Sequence, residues 1–424
     1  MNSADDVVLV IGCGRRRYRE YLLASAASRH PLWLFDESGL SWQNEYVQGG
    51  TVVNVLDRDA LVAAAQELAA TRRVRGVFSW DEMLIVNTAH VAAALGLPGS
   101  GISGVEGCRD KARNRRVLAG AGVAQPQFGF AANEEQAIAA AQRIGYPVVV
   151  KPRGLGASIG VVLAADAADV RRAFRDVVAV SKLAAPAYEG SALIEEYLAG
   201  PEFCIDGAVV DGEYLPLYLA RKITGMHPYF EELGHVVDPA DELLSDPRLL
   251  ATLAAAHEAI EFRNGITCTE VKLTERGPII VEINGRLSGD FVPMLARYAS
   301  GIEPGAVAVD VAMGRRPQVP QPTALHHVGI RFAYPPEDCV VESVSVPPPC
   351  PGDGVLAYGI LVDPGATLEL PPAGFISRHA YVICAGRDAD ECVAVMDKAL
   401  SKVRLASCPL HRNITDRSTT HGEP

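Results

Sequence analysis

Lysine is nearly absent from this chain. Only 7 of its 39 basic residues are Lys, in a sequence of 424. Where Arg is the habit, a retained Lys marks a place that needs a compact, flexible point charge. Four of the seven (Lys111, Lys151, Lys222, Lys272) fall in the segments taken up below. Positive charge is short overall: the net charge is −12, which argues against nucleic acid or an anionic membrane as the main partner. A polyanionic ligand must then be met by local positive charge. No apolar run nears the roughly 20 residues of a membrane-spanning helix, so no membrane role is expected. Met-Asn-Ser-Ala-Asp-Asp leads into a strand rather than a signal peptide, and a cytoplasmic location is the expectation. The nine Cys stand singly, with no Cys-x-x-Cys. Reduced, mostly buried thiols are the simplest reading.

What is present is a well-buried composition, 49% hydrophobic and 21% charged. The chain exceeds one usual core, so about two to four subdomains are expected. The first hundred residues alternate strand and helix. Val7 to Ile11, Leu32 to Phe35, Thr51 to Val55 and Arg75 to Trp80 are short apolar runs, with helical patterns over Asp59 to Thr71 and Met83 to Leu95. This predicts a parallel sheet with crossover helices. Gly12-Cys-Gly14 lacks the third glycine of a dinucleotide fingerprint and is followed by three Arg, so it reads as a tight turn. The glycines from Gly96 to Gly107 mark a boundary. Helices follow over Asp110 to Leu118, Glu134 to Ile144, Asp169 to Val177 and Asp388 to Arg404, and a hairpin turns at Asp211-Gly212. The tail from His411 is polar.

Two acids a short hairpin apart carry the chemistry. Ile266 to Leu273 and Pro278 to Ile283 read as strands joined by Thr-Glu-Arg-Gly277, which places Glu270 on one and Glu282 on the other. With the amide oxygen of Asn284 they offer three hard oxygen donors around one spot, the set that Mg²⁺ against nucleotide phosphates uses. Their bland reading is two acids on a solvated sheet face. Upstream, Gly145-Tyr-Pro-Val-Val-Val-Lys151-Pro ends a buried strand in a lysine. The loop that follows has Gly154, Gly156, Ser158 and Gly160, and its amides and hydroxyl can converge on an anion. It is not a Walker loop. Lys111 can add a second charge, or lie on a solvated helix face. Leu193-Ile-Glu195-Glu196-Tyr197-Leu198 is an apolar strand broken by acids. It can hold adenine through backbone groups, with the acids contacting the exocyclic amine or ribose, and Glu202 is the better placed ribose ligand.

In that order these segments resemble the ATP-grasp superfamily over roughly Cys108 to Gly314, and its carboxylate–amine ligases in overall arrangement. The motifs are Asp110-Lys111, Val-Val-Lys151-Pro, the Gly154–Gly160 loop, Glu195-Glu196-Tyr-Leu, Glu270 and Glu282-Ile-Asn284-Gly-Arg286. The resemblance implies an α/β (α+β) ATP-grasp fold. Its parts would be a Rossmann-like parallel-sheet domain at 1–106, a central subdomain with the glycine-rich loop at 107–190, a subdomain bearing the Mg–ATP site at 191–316, a lid domain at 317–410 and a tail at 411–424. It implies ATP with two Mg²⁺ ions, Mn²⁺ being an acceptable substitute. Lys111, Lys151, Gly156, Ser158, Glu195, Glu196, Tyr197, Leu198 and Glu202 would hold ATP. Glu270, Glu282 and Asn284 would hold the metal, and Arg286 would stabilise an acyl-phosphate transition state.

The segment Phe230-Glu231-Glu232-Leu-Gly234-His235-Val236-Val-Asp-Pro239 is similar to the substrate loop of the L-amino-acid ligases, which make dipeptides, and the stretch Arg378 to Asp388 to their C-terminal part. Asp238 interrupts the usual Val-Pro there, so side-chain preference does not carry over. The resemblance thus implies small-molecule acid and amine substrates, amino acids first. Glu231, Glu232, Gly234, His235, Arg286, Ser288 and Gly289 would lie around them, with His235 as base or anchor and Lys222 beside the chemistry; a homodimer is compatible with this reading. Two other readings share the nucleotide site. One is a ligase for a peptide or specialised-metabolite acid, the other a biotin-dependent carboxylase component, although Met396-Asp397-Lys398 supplies no biotinylation loop. A nucleotide sensor would lack the metal acids, and both are present.

Overall fold

The computed structural model describes residues 6–184, 190–320, 326–350 and 352–410, so the expected tail 411–424 lies outside the described residues. The N-terminal unit is a parallel sheet with strand order Gly49–Val52, Leu32–Asp36, Asp6–Ile11, Arg73–Phe78. The helices Arg16–Arg29 and Arg58–Thr71 connect its strands and Ile85–Ala94 follows the last of them, as hydrophobic runs alternating with helical periods demand. The third strand starts two residues earlier than expected and leaves the sheet before Asn54, whose side chain accepts from the Leu56 amide in a turn. Gly12 and Gly14 both take left-handed φ, +68° and +74°, which makes the tight turn expected there.

The second half of the glycine-rich stretch read as a boundary forms a helix, Ile102–Arg109. Its glycines serve packing, since a Cβ at Gly104 would sit 3.1 Å from the carbonyl oxygen of Ile260. Asp110 then caps the helix Lys111–Gly120 by accepting from Ala112 N. A four-stranded antiparallel sheet follows, ordered Phe128–Ala131, Ala192–Glu196, Val148–Pro152, Val162–Ala164. Helices Glu134–Ile144 and Ala167–Ala184 pack on it through Ala137, Ala141, Val170 and Val177.

The largest element is an eight-stranded antiparallel sheet. Its order is Gly277–Asn284, Gly265–Thr274, Glu202–Val210, Glu213–Gly225, Glu231–Val237, His327–Ala333, Ala380–Gly386, Val355–Ile360. The segment expected as a separate lid therefore contributes three strands to the sheet that carries the acids. The C-terminal helix ends at Leu400, short of the expected Arg404, because Arg404–Pro409 is a strand paired with Cys339–Ser345. All nine cysteines are free thiols and seven are buried. No helix among the described residues is long and apolar enough to cross a membrane.

Candidate active site

The four-stranded sheet and the eight-stranded sheet face each other across a pocket. Lys111, Lys151, the loop residues 155–158, Glu195 to Leu198, Glu202, Glu270, Lys272 and Glu282 line it. At one wall the ladder ends at Glu196, leaving Tyr197 and Leu198 beyond the strand, where a planar base can meet their backbone. The roof is the glycine-rich loop. Ala157 and Ser158 both sit at φ 56°, left-handed without being glycine. Such strain gathers at ligand-binding loops; here it closes tight turns in which Ile159 N donates to Gly156 O and Val161 N to Ser158 O. A Cβ at Gly156 would meet nothing within 4 Å.

Lys111 is no surface charge. Its Nζ lies 2.8 Å from Glu282 and donates to the Leu155 carbonyl at 2.5 Å, so it ties the loop to the acid-bearing strand. Lys151 is buried and pairs with Glu195 at 2.6 Å. Burial pushes its pKa down, opposed by Glu195. Glu195 also lines the pocket, and its carboxylate is buried between Lys151 and Arg115 (2.5 Å). Arg115 in turn donates to the carbonyls of Ile280 and Val281, so this buried triad ties the strands Ala192–Glu196 and Val148–Pro152 to Gly277–Asn284. Glu196 is held by Arg276 at 2.6 Å, and Tyr197 lies beneath Lys272.

Glu270 and Glu282 are direct cross-strand partners in the hairpin. Asn284 is buried two residues beyond Glu282, on the same face. Burial raises the pKa of Glu270, Lys222 opposes it, and the neighbouring acids Glu282, Glu232 and Glu202 add to the rise. Glu282 goes the other way: burial would raise it, but Lys111 and Lys151 outweigh burial. Glu202, Glu232 and Glu270 share the Lys222 ammonium, and Glu270 faces Glu282 across the hairpin. Carboxylate oxygens of this kind are the hard donors that Mg²⁺ or Mn²⁺ takes.

Lys222 is the hub. Its side chain is 3% exposed, and Nζ reaches Glu232 at 2.8 Å, Glu270 at 2.9 Å and Glu202 at 3.0 Å. From there the site extends into a second cluster. His235 Nε2 lies 3.2 Å from Asp290 and 3.4 Å from Glu232. Burial opposes its charge, but hydrogen bonding to those two carboxylates carries its pKa to about 10. Arg378 spans the cluster, donating to Asp290 at 2.6 Å, the Glu232 carbonyl at 2.9 Å and the Tyr334 hydroxyl at 2.8 Å, while lying over the Phe332 ring.

Three expected substrate residues have close partners within the fold. Glu231 accepts from Tyr334 and from the Ile376 amide through Oε2. Gly234 allows close strand pairing, since a Cβ there would lie 2.3 Å from the Ile330 carbonyl. Ser288 turns its hydroxyl into a buried cluster of Asp206, Cys204 and Cys268. Gly289 is open and precedes Asp290 and Phe291, both left-handed at φ 54° and 61°. Arg286 packs against Glu82 at 2.9 Å. Sequence reasoning missed Arg115, Glu82, Asp290 and Arg378. Only Asp290 carried a local signal, as an acid six residues past Asn284.

Residues 144–293 match the model of the ATP-grasp domain. The chain is 25% identical to the alanine–anticapsin ligase of Bacillus subtilis, over 68% of each chain. It is 32% identical to the D-alanine–D-alanine ligase of Stutzerimonas stutzeri, over 48% of this chain and 65% of that one. The chain thus spans about two thirds of the length of the curated relatives it matches. The crystal structure of an L-amino acid ligase from Bacillus licheniformis superposes with a TM-score of 0.75 at 19% identity, covering 96% of this chain and 99% of that one. That likeness bears on the fold.

Proposed function

We propose that this chain, which carries an ATP-grasp domain, is an ATP-dependent carboxylate–amine ligase joining two amino acids, with release of ADP and phosphate. One observation carries the reading: Glu270 and Glu282, cross-strand partners, face the same pocket as Lys111, Lys151 and the glycine-rich loop. The relatives named as alanine–anticapsin and D-alanine–D-alanine ligases support it.

Amide formation in water is uphill, so the acid needs a better leaving group. An oxygen of the substrate carboxylate takes the γ-phosphoryl group, the bond to the β–γ bridging oxygen breaks, and ADP leaves. The amine then attacks the acyl carbon, the C–O bond to phosphate breaks, and the amine proton leaves with phosphate or water. This chain contributes positioning and charge neutralisation. Lys111 and the loop amides meet the phosphates, Tyr197 and Leu198 flank the base, and Glu202 meets the ribose. Glu270, Glu282 and Asn284 would hold the Mg²⁺ ions, two in this proposal, which supply charge neutralisation at the transferring phosphoryl group. Arg286 faces the charge that develops between γ-phosphoryl group and carboxylate. Glu232 and Asp290 anchor a substrate ammonium group. His235 is an anchor and not a base, because an imidazolium between two carboxylates has no lone pair to take a proton. The loop excludes water from the acyl phosphate.

The test is turnover with pairs of amino acids, read by mass spectrometry and nucleotide analysis. ADP, phosphate and a dipeptide are expected, and hydroxylamine should trap a hydroxamate. Stoichiometric AMP would overturn the reading.

A further inference from the structure

The start of the glycine-rich loop is held by three consecutive residues at the junction of two helices. Arg109 donates to the Gly154 carbonyl at 3.3 Å, Asp110 pairs with Arg153 at 2.7 Å, and Lys111 donates to the Leu155 carbonyl. Of the three, Arg109 also reaches across to the N-terminal unit, where it meets Glu82 at 3.0 Å. The other carboxylate oxygen of Glu82 lies 2.9 Å from Arg286 Nε. The side chains of Arg109, Glu82 and Arg286 are 13%, 17% and 16% exposed, so solvent and salt screen these contacts little.

Two details show that this carboxylate does more than neutralise. One acid faces two guanidiniums, which leaves net positive charge on the Arg286 side for an incoming anionic oxygen. And Glu82 Oε2, though within ion-pair distance of Arg286, is a buried oxygen without an aligned hydrogen bond. A buried acceptor left unaligned is costly, and catalytic contacts of this kind tighten only when ligand arrives. Arg286 Nη1 meanwhile donates to the Leu287 carbonyl at 2.8 Å, so the guanidinium is held by one backbone oxygen and by Glu82.

We infer that Glu82 is a positioning residue that ties Arg286 to the glycine-rich loop through Arg109, so that Arg286 takes its working orientation when the loop seats on nucleotide. This rests on the proposed role of Arg286. Burial works against the charge of Arg286, and Glu82 heads the groups that sustain it.

Glu82→Gln keeps the shape and removes the charge. It should lower kcat by about 10- to 100-fold, the scale of one charge-assisted hydrogen bond, while the Kd of a non-hydrolysable ATP analogue changes by less than about 3-fold, as expected when ground-state binding is untouched. In an Arg286→Lys background the same change should cost less than about 2-fold, because the two residues act as one unit. A second readout needs no turnover. Binding of the ATP analogue with Mg²⁺ should slow amide exchange in residues 154–160 and also in 285–289 of the wild type. In Glu82→Gln, and in Arg109→Gln, which cuts the tie at its other end, the response at 285–289 should disappear while that at 154–160 remains. Persistence of the 285–289 response in Glu82→Gln, or an equal loss of kcat in both backgrounds, overturns the inference. A protein that forms no amide with any acid but shows this exchange pattern would overturn the ligase reading and leave the coupling standing.

Discussion

Lys222→Met removes the cation that three carboxylates share. Lys222 Nζ sits 2.8–3.0 Å from Glu232, Glu270 and Glu202, and its side chain is 3% exposed, so water cannot take its place. Methionine fills nearly the same volume, which isolates the charge. Removing one partner of a buried ion pair costs about 3–5 kcal/mol. The unfolding entropy for 424 residues, at about 2.1 cal/mol/K each, is near 0.9 kcal/mol/K, so the melting temperature should fall by roughly 3–6 °C. The acids that lose Lys222 are those beside the proposed metal position. Millimolar Mg²⁺ should therefore raise the melting temperature of the variant more than that of the wild type, while NaCl at equal ionic strength should not. The assay is calorimetry or near-UV circular dichroism in Mg²⁺-free buffer, then across a Mg²⁺ titration. A variant melting within about 1 °C of wild type, or equal Mg²⁺ shifts in both proteins, would refute the charge accounting at this hub.

Glu270→Gln and Glu282→Gln should each abolish most turnover while leaving the fold intact by circular dichroism, and near-normal activity of Glu282→Gln at limiting Mg²⁺ would dismiss the joint metal site. Arg286→Lys keeps the charge but loses the planar fork. It should lower kcat by about 10²-fold with ATP affinity unchanged, whereas weaker ATP binding at unchanged kcat would reassign Arg286 to nucleotide anchoring. His235 binds its proton more tightly folded (about 10) than unfolded (6.5). Its contribution is whole below pH 6.5 and is lost as pH rises toward 10, by up to about 1.4 kcal/mol per unit. Wild type should thus lose stability between pH 7 and 10 more steeply than His235→Gln, and parallel slopes would contradict the imidazolium.

The hairpin of acids was legible because everything it needs is local. Alternation sets the strands, Gly277 takes φ 102° at the turn, and turn length fixes the register as far as Val271 opposite Ile280, where a bulge shifts it by one residue and brings Glu270 opposite Glu282. The parallel sheet was legible for the same reason. What stayed hidden depends on pairs brought together by topology. Arg378 and Asp290 are 88 positions apart, and Arg115 and Glu195 are 80 apart. No window of sequence shows that Glu195 is paired with Arg115. Glycine carries packing demands that no local window shows: Gly104 lets a helix approach the Ile260 carbonyl and Gly234 lets its strand pair closely with the Ile330 carbonyl. The C-terminal helix was drawn four residues too long, as Val403 keeps a helical spacing from Leu400 although the chain has already turned toward the strand Arg404–Pro409.

The continuity of the eight-stranded sheet bears on how such a protein can be recombined. Arg378 and Tyr334, which hold Asp290 and Glu232 in place, come from the C-terminal segment, whose strands His327–Ala333 and Ala380–Gly386 are hydrogen-bonded in series onto Glu231–Val237. A chimera that exchanged everything after residue 316 would tear open a ladder and bare the backbone edge of Glu231–Val237, inviting aggregation. Residues 369–378, which carry Arg378 to the cluster between two strands, can be exchanged without breaking the sheet. Selectivity toward new substrates is therefore best sought by grafting that connection together with Gly289–Phe291, with the strands left as they are.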